Sequence, residues 1–137
     1  MATKLNAYLN FKDQSRPAME FYKTVFGGKL ELHTFKELGA AHSPDEEDLI
    51  MHSVLTSGDI EFMAADTPND MEYKPAAGFG MSLSGDNEAE LKGYFDKLCE
   101  GGTVTVPMAK QVWGDQFGMC TDKFGVSWLV NIAAPKA

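Results

Sequence analysis

The sequence predicts an α+β fold built from two βαβββ modules, over about residues 4–66 and 77–134. Three observations carry that prediction. Strand-type and helix-type periodicities follow one another in the same order twice along the chain. An aromatic pair holds matching places in the two helical segments, Phe21-Tyr22 and Tyr94-Phe95. A glycine pair closes each of those segments, Gly27-Gly28 and Gly101-Gly102, as a helix stop signal should. With 137 residues, 44% hydrophobic and 23% charged, the chain fits one domain. Such a domain buries roughly two-thirds of its unfolded surface and needs neither a disulfide nor a structural metal to fold.

The elements follow in order. Leu5 to Phe11, rich in Tyr, Leu and Phe, reads as a strand. Ser15-Arg16-Pro17 starts a helix with a capping hydroxyl and a first-turn proline, and Ala18, Phe21, Tyr22, Val25 and Phe26 recur at helical spacing. Lys29 to Phe35 alternates as a strand, with Leu30 and Leu32 on one side and Glu31 and His33 on the other. After a polar stretch from Glu37 to Asp48, Leu49–Thr56 and Ile60–Ala65 read as a hairpin around Ser57-Gly58-Asp59. The second module begins with a strand at Gly78–Leu83, then a helix from Glu88 to Glu100. Asn87 and Glu90 have capping-box spacing there, and Leu91, Tyr94, Phe95, Leu98 and Cys99 share one face. Strands at Thr103–Val106, Gln111–Thr121 and Val126–Ala133 complete it, the last two joined by Asp122-Lys123-Phe124-Gly125.

Charge and composition exclude several classes. Twelve Lys and Arg stand against twenty Asp and Glu, a net charge of −8 that repels phosphate backbones and anionic lipid. No nucleic-acid or membrane partner is therefore expected. The longest uncharged run, Phe124 to Pro135, is far short of the roughly 20 apolar residues of a membrane span. The first residues lack the apolar stretch of a secretory signal, so the expected location is cytoplasmic. Cys99 and Cys120 form no CxxC pair, and neither has a basic neighbour in sequence to activate a thiolate. Gly80-Met81-Ser82-Leu83-Ser84 misses the nucleophile elbow at its fifth residue and reads as a strand end. Asp45-Glu46-Glu47-Asp48 reads as a solvated loop.

Several segments together resemble the PhnB-like branch of the vicinal oxygen chelate superfamily, the glyoxalase/bleomycin resistance/dioxygenase proteins. They are Tyr8-Leu9-Asn10-Phe11, Ala18-Met19-Glu20-Phe21-Tyr22 through Phe26-Gly27-Gly28, Trp113-Gly114-Asp115-Gln116-Phe117-Gly118, and Thr121-Asp122-Lys123-Phe124-Gly125-Val126-Ser127-Trp128. The resemblance spans nearly the whole chain. It implies paired βαβββ modules whose sheets curl into a cup (mixed or antiparallel) with the helices outside, ligand sites inside the cups, and a homodimer. The branch often carries a ubiquinone methyltransferase name, yet the chain has no glycine-rich nucleotide loop following a strand.

Metal-using relatives place four ligands on the first and last strand of each module, because a divalent ion needs convergent donors with positions left open for substrate. By the resemblance those positions fall on Ala7, Glu61, Phe79 and Leu129, of which Glu61 alone carries a donor. The expectation is no metal and no cofactor. Residual chemistry centres on His52 and Glu61. A hairpin pairing His52 with Met63 and Val54 with Glu61 makes them diagonal neighbours, and a carboxylate beside an imidazole supports general acid–base work. In that register Met51, Leu55, Ile60 and Phe62 pack under a helix, leaving His52, Val54, Glu61 and Met63 toward the cup. Met63, Phe79, Trp113, Phe117 and Leu129 are the expected ligand-lining residues. The function read from these residues is binding of a small organic molecule in the sheet cup without the usual metal site. Two alternatives stay open: an enzyme, metal-dependent or using His52 and Glu61 as acid and base, and a protein that sequesters an antibiotic, for which −8 favours a cationic drug.

Overall fold

Eight strands and two α-helices form among residues 3–75 and 77–134, which the computed structural model describes. The chain divides into two units at residue 75. In the first unit, β1 (Tyr8–Phe11), α1 (Ser15–Phe26), β2 (Lys29–Thr34), β3 (Ile50–Ser57) and β4 (Ile60–Asp66) build a mixed sheet in the order β1-β4-β3-β2. β1 runs parallel to β4, and the other neighbours are antiparallel. In the second unit, β5 (Met81–Gly85), α2 (Glu88–Cys99), β6 (Thr103–Lys110), β7 (Gln116–Thr121) and β8 (Ser127–Ile132) repeat that arrangement as β5-β8-β7-β6, again with one parallel pair. The architecture is α+β with two modules, as the periodicities predict.

Each helix covers one face of its own sheet. Ala18, Met19, Tyr22, Val25 and Phe26 of α1 are buried, with Tyr22 set edge-on to Phe62 of β4 at 5.5 Å. Leu91, Phe95 and Leu98 of α2 do the same beneath β7 and β8, where Trp128 and Val130 are fully buried. The glycine pairs have a steric cause beyond stopping the helices. A Cβ on Gly28 would stand 2.2 Å from the Thr56 carbonyl oxygen, and one on Gly102 would stand 2.2 Å from that of Thr121. In both units the chain leaving the helix passes against the backbone just before the closing hairpin, closer than any side chain permits.

Buried carboxylates organise the loops. Asp66, at the end of β4, accepts the Ser15 N–H on one oxygen and the Ile50 N–H on the other, each at 2.9 Å. It therefore does the capping work that the sequence assigns to the Ser15 hydroxyl, which is buried and makes no hydrogen bond. Asp122 accepts from the Phe124 and Val126 amides and from the Trp128 indole at 2.8 Å, clasping the β7–β8 turn. In α2 the Asn87 side chain accepts from the Glu90 amide at 3.1 Å, and its own amide donates to the Glu90 carboxylate.

Several expectations need correcting. β1 begins at Tyr8 rather than Leu5, β5 is Met81–Gly85 rather than Gly78–Leu83, and α2 ends at Cys99. β6 runs on through Pro107 to Lys110. Gln111–Asp115 is then a turn closed by the Gln111 amide on the Asp115 carbonyl at 2.8 Å, so β7 starts at Gln116 rather than Gln111. An edge strand tolerates the missing amide of Pro107, and the β6–β7 register shifts twice, between Val104 and Val106 and again across Pro107 between Val106 and Ala109. The β3–β4 hairpin turns on Gly58-Asp59 alone, with Ser57 opposite Ile60, which shifts the expected register by two residues. The acidic run is not wholly solvated. Pro44–Glu46 is a 3₁₀ turn, and Glu46 is completely buried, accepting the His42 amide at 3.0 Å and the Asn69 amide at 2.7 Å.

Two outcomes follow. Gly28→Ala and Gly102→Ala each lower stability by about 2 kcal/mol or more in denaturant titrations, because backbone must move. Gly58→Ala, with open space around its Cβ site, costs only about 1 kcal/mol for its positive φ; equal losses at Gly58 and Gly28 contradict the steric account. The Asn69 and His42 amides hold the Glu46 carboxyl below its ordinary 4.5. An acid whose folded value is depressed stabilises the fold above the unfolded value, and that contribution disappears as pH falls through the folded one. Glu46→Gln thus lowers Tm near neutral pH, and the gap to wild type narrows below about pH 4.5; a gap constant with pH refutes it.

Candidate functional site

The face of each sheet turned away from its helix is open, and the open face of the first sheet holds a hollow. Cross-strand pairing places Tyr8, Met63 and Val54 side by side across β1, β4 and β3, with Asn10 and Ala65 paired one step along. A register shift after His33 sets Thr34 opposite Ile50, skipping Met51. Met51 is 38% exposed as a result, contrary to the expectation that it packs under the helix. Tyr8, Asn10, Met51 and Ala65 line a cavity of about 430 Å³ closed by Phe35 and by Thr67, Pro68 and Met71. That closing segment is fastened at two points, by the Thr67 amide on the Phe11 carbonyl at 2.8 Å and by the Asn69 amide on buried Glu46.

Chemically the hollow offers a thioether wall, a phenol and a carboxamide, together with the charged side chains of Glu72 and Lys74. Burial pushes the Tyr8 phenol above its ordinary 10.0, so it presents an O–H donor at neutral pH. Asp66 also borders the cavity, but both of its oxygens are occupied by backbone amides. Burial raises its carboxyl above 3.8 against those bonds.

The predicted site residues divide between the two units. His52 and Met63 are diagonal neighbours on the first sheet's open face, with the Tyr8 ring 6.2 Å from that of His52. Glu61 shares the face but pairs with Thr56, four residues along β3 from His52, or about 13 Å. The expected His52–Glu61 pairing is therefore corrected: no hydrogen-bonded dyad forms. Glu61 instead meets the Lys4 ammonium at 3.4 Å. In the second unit Phe117 and Leu129 are diagonal neighbours on the open face, and Trp113 stands edge-on to Phe117 at 6.2 Å. Phe79 precedes β5 and is 58% exposed. The Met63 amide donates to the carbonyl of Ala7, the residue on which the resemblance puts the first metal position, at 3.0 Å.

Two other features carry less chemistry. A wider depression of about 800 Å³ at the start of α2 is lined by Asp86, Glu88, Lys110 and Gln116, but Glu88 is already engaged by Gln116 and by Lys92 at 3.4 Å. Cys120 is pushed up to about 12, chiefly by burial, and Cys99 is raised for the same reason, so neither offers a thiolate. Among the described residues no group of three or more His, Cys, Asp or Glu is gathered to hold a metal, and no helix is long and apolar enough to cross a membrane.

Sequence reasoning missed Tyr8, Asn10, Met51, Thr67 and Met71. Alternation in Tyr8-Leu9-Asn10-Phe11 was a usable signal for the first two, since Leu9 and Phe11 are buried and their neighbours face outward.

Comparison with known proteins agrees with this architecture. The family model described as 3-demethylubiquinone-9 3-methyltransferase matches residues 3–131. Protein PA1353 from Pseudomonas aeruginosa is 36% identical, covering 98% of this chain and 100% of its own, with a TM-score of 0.86. A PhnB protein from Bacillus cereus bearing the same methyltransferase name is 25% identical over 96% of this chain and 100% of its own, with a TM-score of 0.71. A glyoxalase/bleomycin resistance protein/dioxygenase superfamily member from Sphaerobacter thermophilus shares the fold at 18% identity and a TM-score of 0.60, covering 97% of this chain and 98% of its own. The chain belongs to the 3-demethylubiquinone-9 3-methyltransferase family, and its fold is one shared with a glyoxalase/bleomycin resistance protein/dioxygenase superfamily structure.

Proposed function

We propose that this chain binds a small, largely apolar organic molecule on the open face of its first sheet, without the superfamily's usual metal site. The observation that carries the reading is the hollow itself. Its volume, about 430 Å³, falls in the range of roughly 300–1,000 Å³ typical of small-molecule sites. Its lining combines Met51, Phe35, Ala65 and Met71 with neutral polar groups from Tyr8 and Asn10 and the opposite charges of Glu72 and Lys74. Thioether walls adapt to the shape of an apolar guest, while the phenol and the amide orient it. Three of the four usual metal positions, Ala7, Phe79 and Leu129, have no donor in the side chain. The separation of His52 from Glu61 along β3 weighs against an acid–base pair.

Titration of the protein with 1-naphthol, a neutral aromatic alcohol, read by amide NMR, tests this reading. Saturable shifts centred on Tyr8, Asn10, Met51 and Thr67 are expected below about 1 mM ligand. Met51→Trp, which fills the hollow from an exposed position, abolishes them while leaving Tm unchanged. Shifts confined to Trp113 and Phe117, or no saturation, overturn the reading. Binding of the cationic glycopeptide bleomycin in place of naphthol, weakening with salt, moves it to drug sequestration.

A further inference from the structure

The open face of the first sheet carries a second feature, on the strand pair away from β1. His33 on β2 and His52 on β3 are directly opposite in the antiparallel register, with rings 8° from parallel and centroids 6.5 Å apart. Both side chains reach solvent, that of His33 with 43% of its surface exposed. Residues directly opposite across an antiparallel pair have Cβ atoms about 4.5–5.5 Å apart. One ion can bridge that span when each ring turns a nitrogen inward, since metal–imidazole bonds are about 2.0–2.1 Å. Beside His33 a carboxylate is already in place: Glu37 Oε2 lies 3.6 Å from Nδ1. A carboxylate that near Nδ1 is placed to take its N–H by a small side-chain rotation, which would leave the Nε2 lone pair for a metal, the usual second layer of a histidine–metal site.

We propose that His33 and His52 form a two-histidine site for a borderline divalent transition ion of the zinc and copper class, with Glu37 as the positioning residue and water in the remaining coordination places. Imidazole donors select such ions over magnesium or calcium. The site is on β2 and β3, apart from Ala7, Glu61, Phe79 and Leu129, where the superfamily's usual ligands would fall. It stands independently of the small-molecule reading, and its test uses the metal alone.

The experiment is calorimetric titration of tag-free protein with Zn²⁺, Cu²⁺ and Mn²⁺ separately. One ion per chain is expected, Cu²⁺ tightest and Mn²⁺ weakest. Affinity should fall on acidification, because the ligating rings must be neutral. His33→Ala and His52→Ala each weaken Zn²⁺ binding by at least the about 10–100-fold that loss of an outer partner costs, and the double variant loses little more. Glu37→Gln produces a loss in that range with the site intact. His42→Ala, on the 37–48 loop, leaves binding unchanged. In the unaltered protein, sub-stoichiometric Cu²⁺ broadens the His33 and His52 ring signals first, a readout that needs no variant. Single variants that bind Zn²⁺ as wild type does, loss of binding in His42→Ala, or broadening centred elsewhere overturns the proposal.

Discussion

A carboxylate taken out of water must be met by hydrogen-bond donors, and the first unit is organised round one that is. Asp66 is 4% exposed, and its two oxygens receive the amide that opens α1 and the amide that opens β3. One side chain thus fixes the helix entry, the strand entry and the end of β4 where the chain turns toward the hollow. The arrangement carries an energetic cost. Desolvation outweighs the two hydrogen bonds and raises the carboxyl, so the folded state binds the proton more tightly than the unfolded chain does. By linkage, the contribution of Asp66 to stability is greatest in acid and declines as pH rises through the raised value. Its place in the fold is explained by geometry: it positions three elements that no apolar side chain of its size can join.

The second unit meets a comparable demand differently. Asp122 accepts from two turn amides and from the buried Trp128 indole, which accounts for the Thr121–Trp128 segment as a self-contained clasp. The segment after β8 is nonetheless fastened in the same manner, by the Ala133 amide on the Gly85 carbonyl at 2.7 Å and by the Ala134 amide on the Asp115 carboxylate at 2.9 Å. In the first unit Glu46 and the Phe11 carbonyl hold residues 67–69 beside the open sheet face, and a cavity results. Two modules with the same strand order present unlike faces, a walled hollow with Tyr8 and Asn10 in one and an exposed Trp113 set against a half-buried Phe117 in the other.

Much of the fold was legible in the chain because it rests on local periodicity. Both helices and the order of all eight strands follow from spacing and from the glycine stops. The errors share a cause. A two-residue slip in the β3–β4 hairpin and a register shift beside His33 leave no mark on composition, yet they separate His52 from Glu61 and turn Met51 to the open face. Likewise an acidic run reads as solvated until tertiary contact shows that Glu46 has amides from two segments around it. Met63 was placed on the correct face because a slip of two residues preserves the alternation of sides. The rest of the hollow was invisible because it depends on which strands become neighbours, and the pairing of β1 with β4 joins residues more than fifty positions apart.

The central claim, that the first sheet's open face is the ligand site, is most directly tested by soaking crystals of the protein with a library of small neutral aromatic compounds and mapping the electron density. The account predicts density clustered between Tyr8, Asn10, Met51 and Met71, with the Tyr8 hydroxyl donating to the bound molecule. Density that gathers against Trp113 and Phe117 and leaves the hollow empty across the library would contradict it.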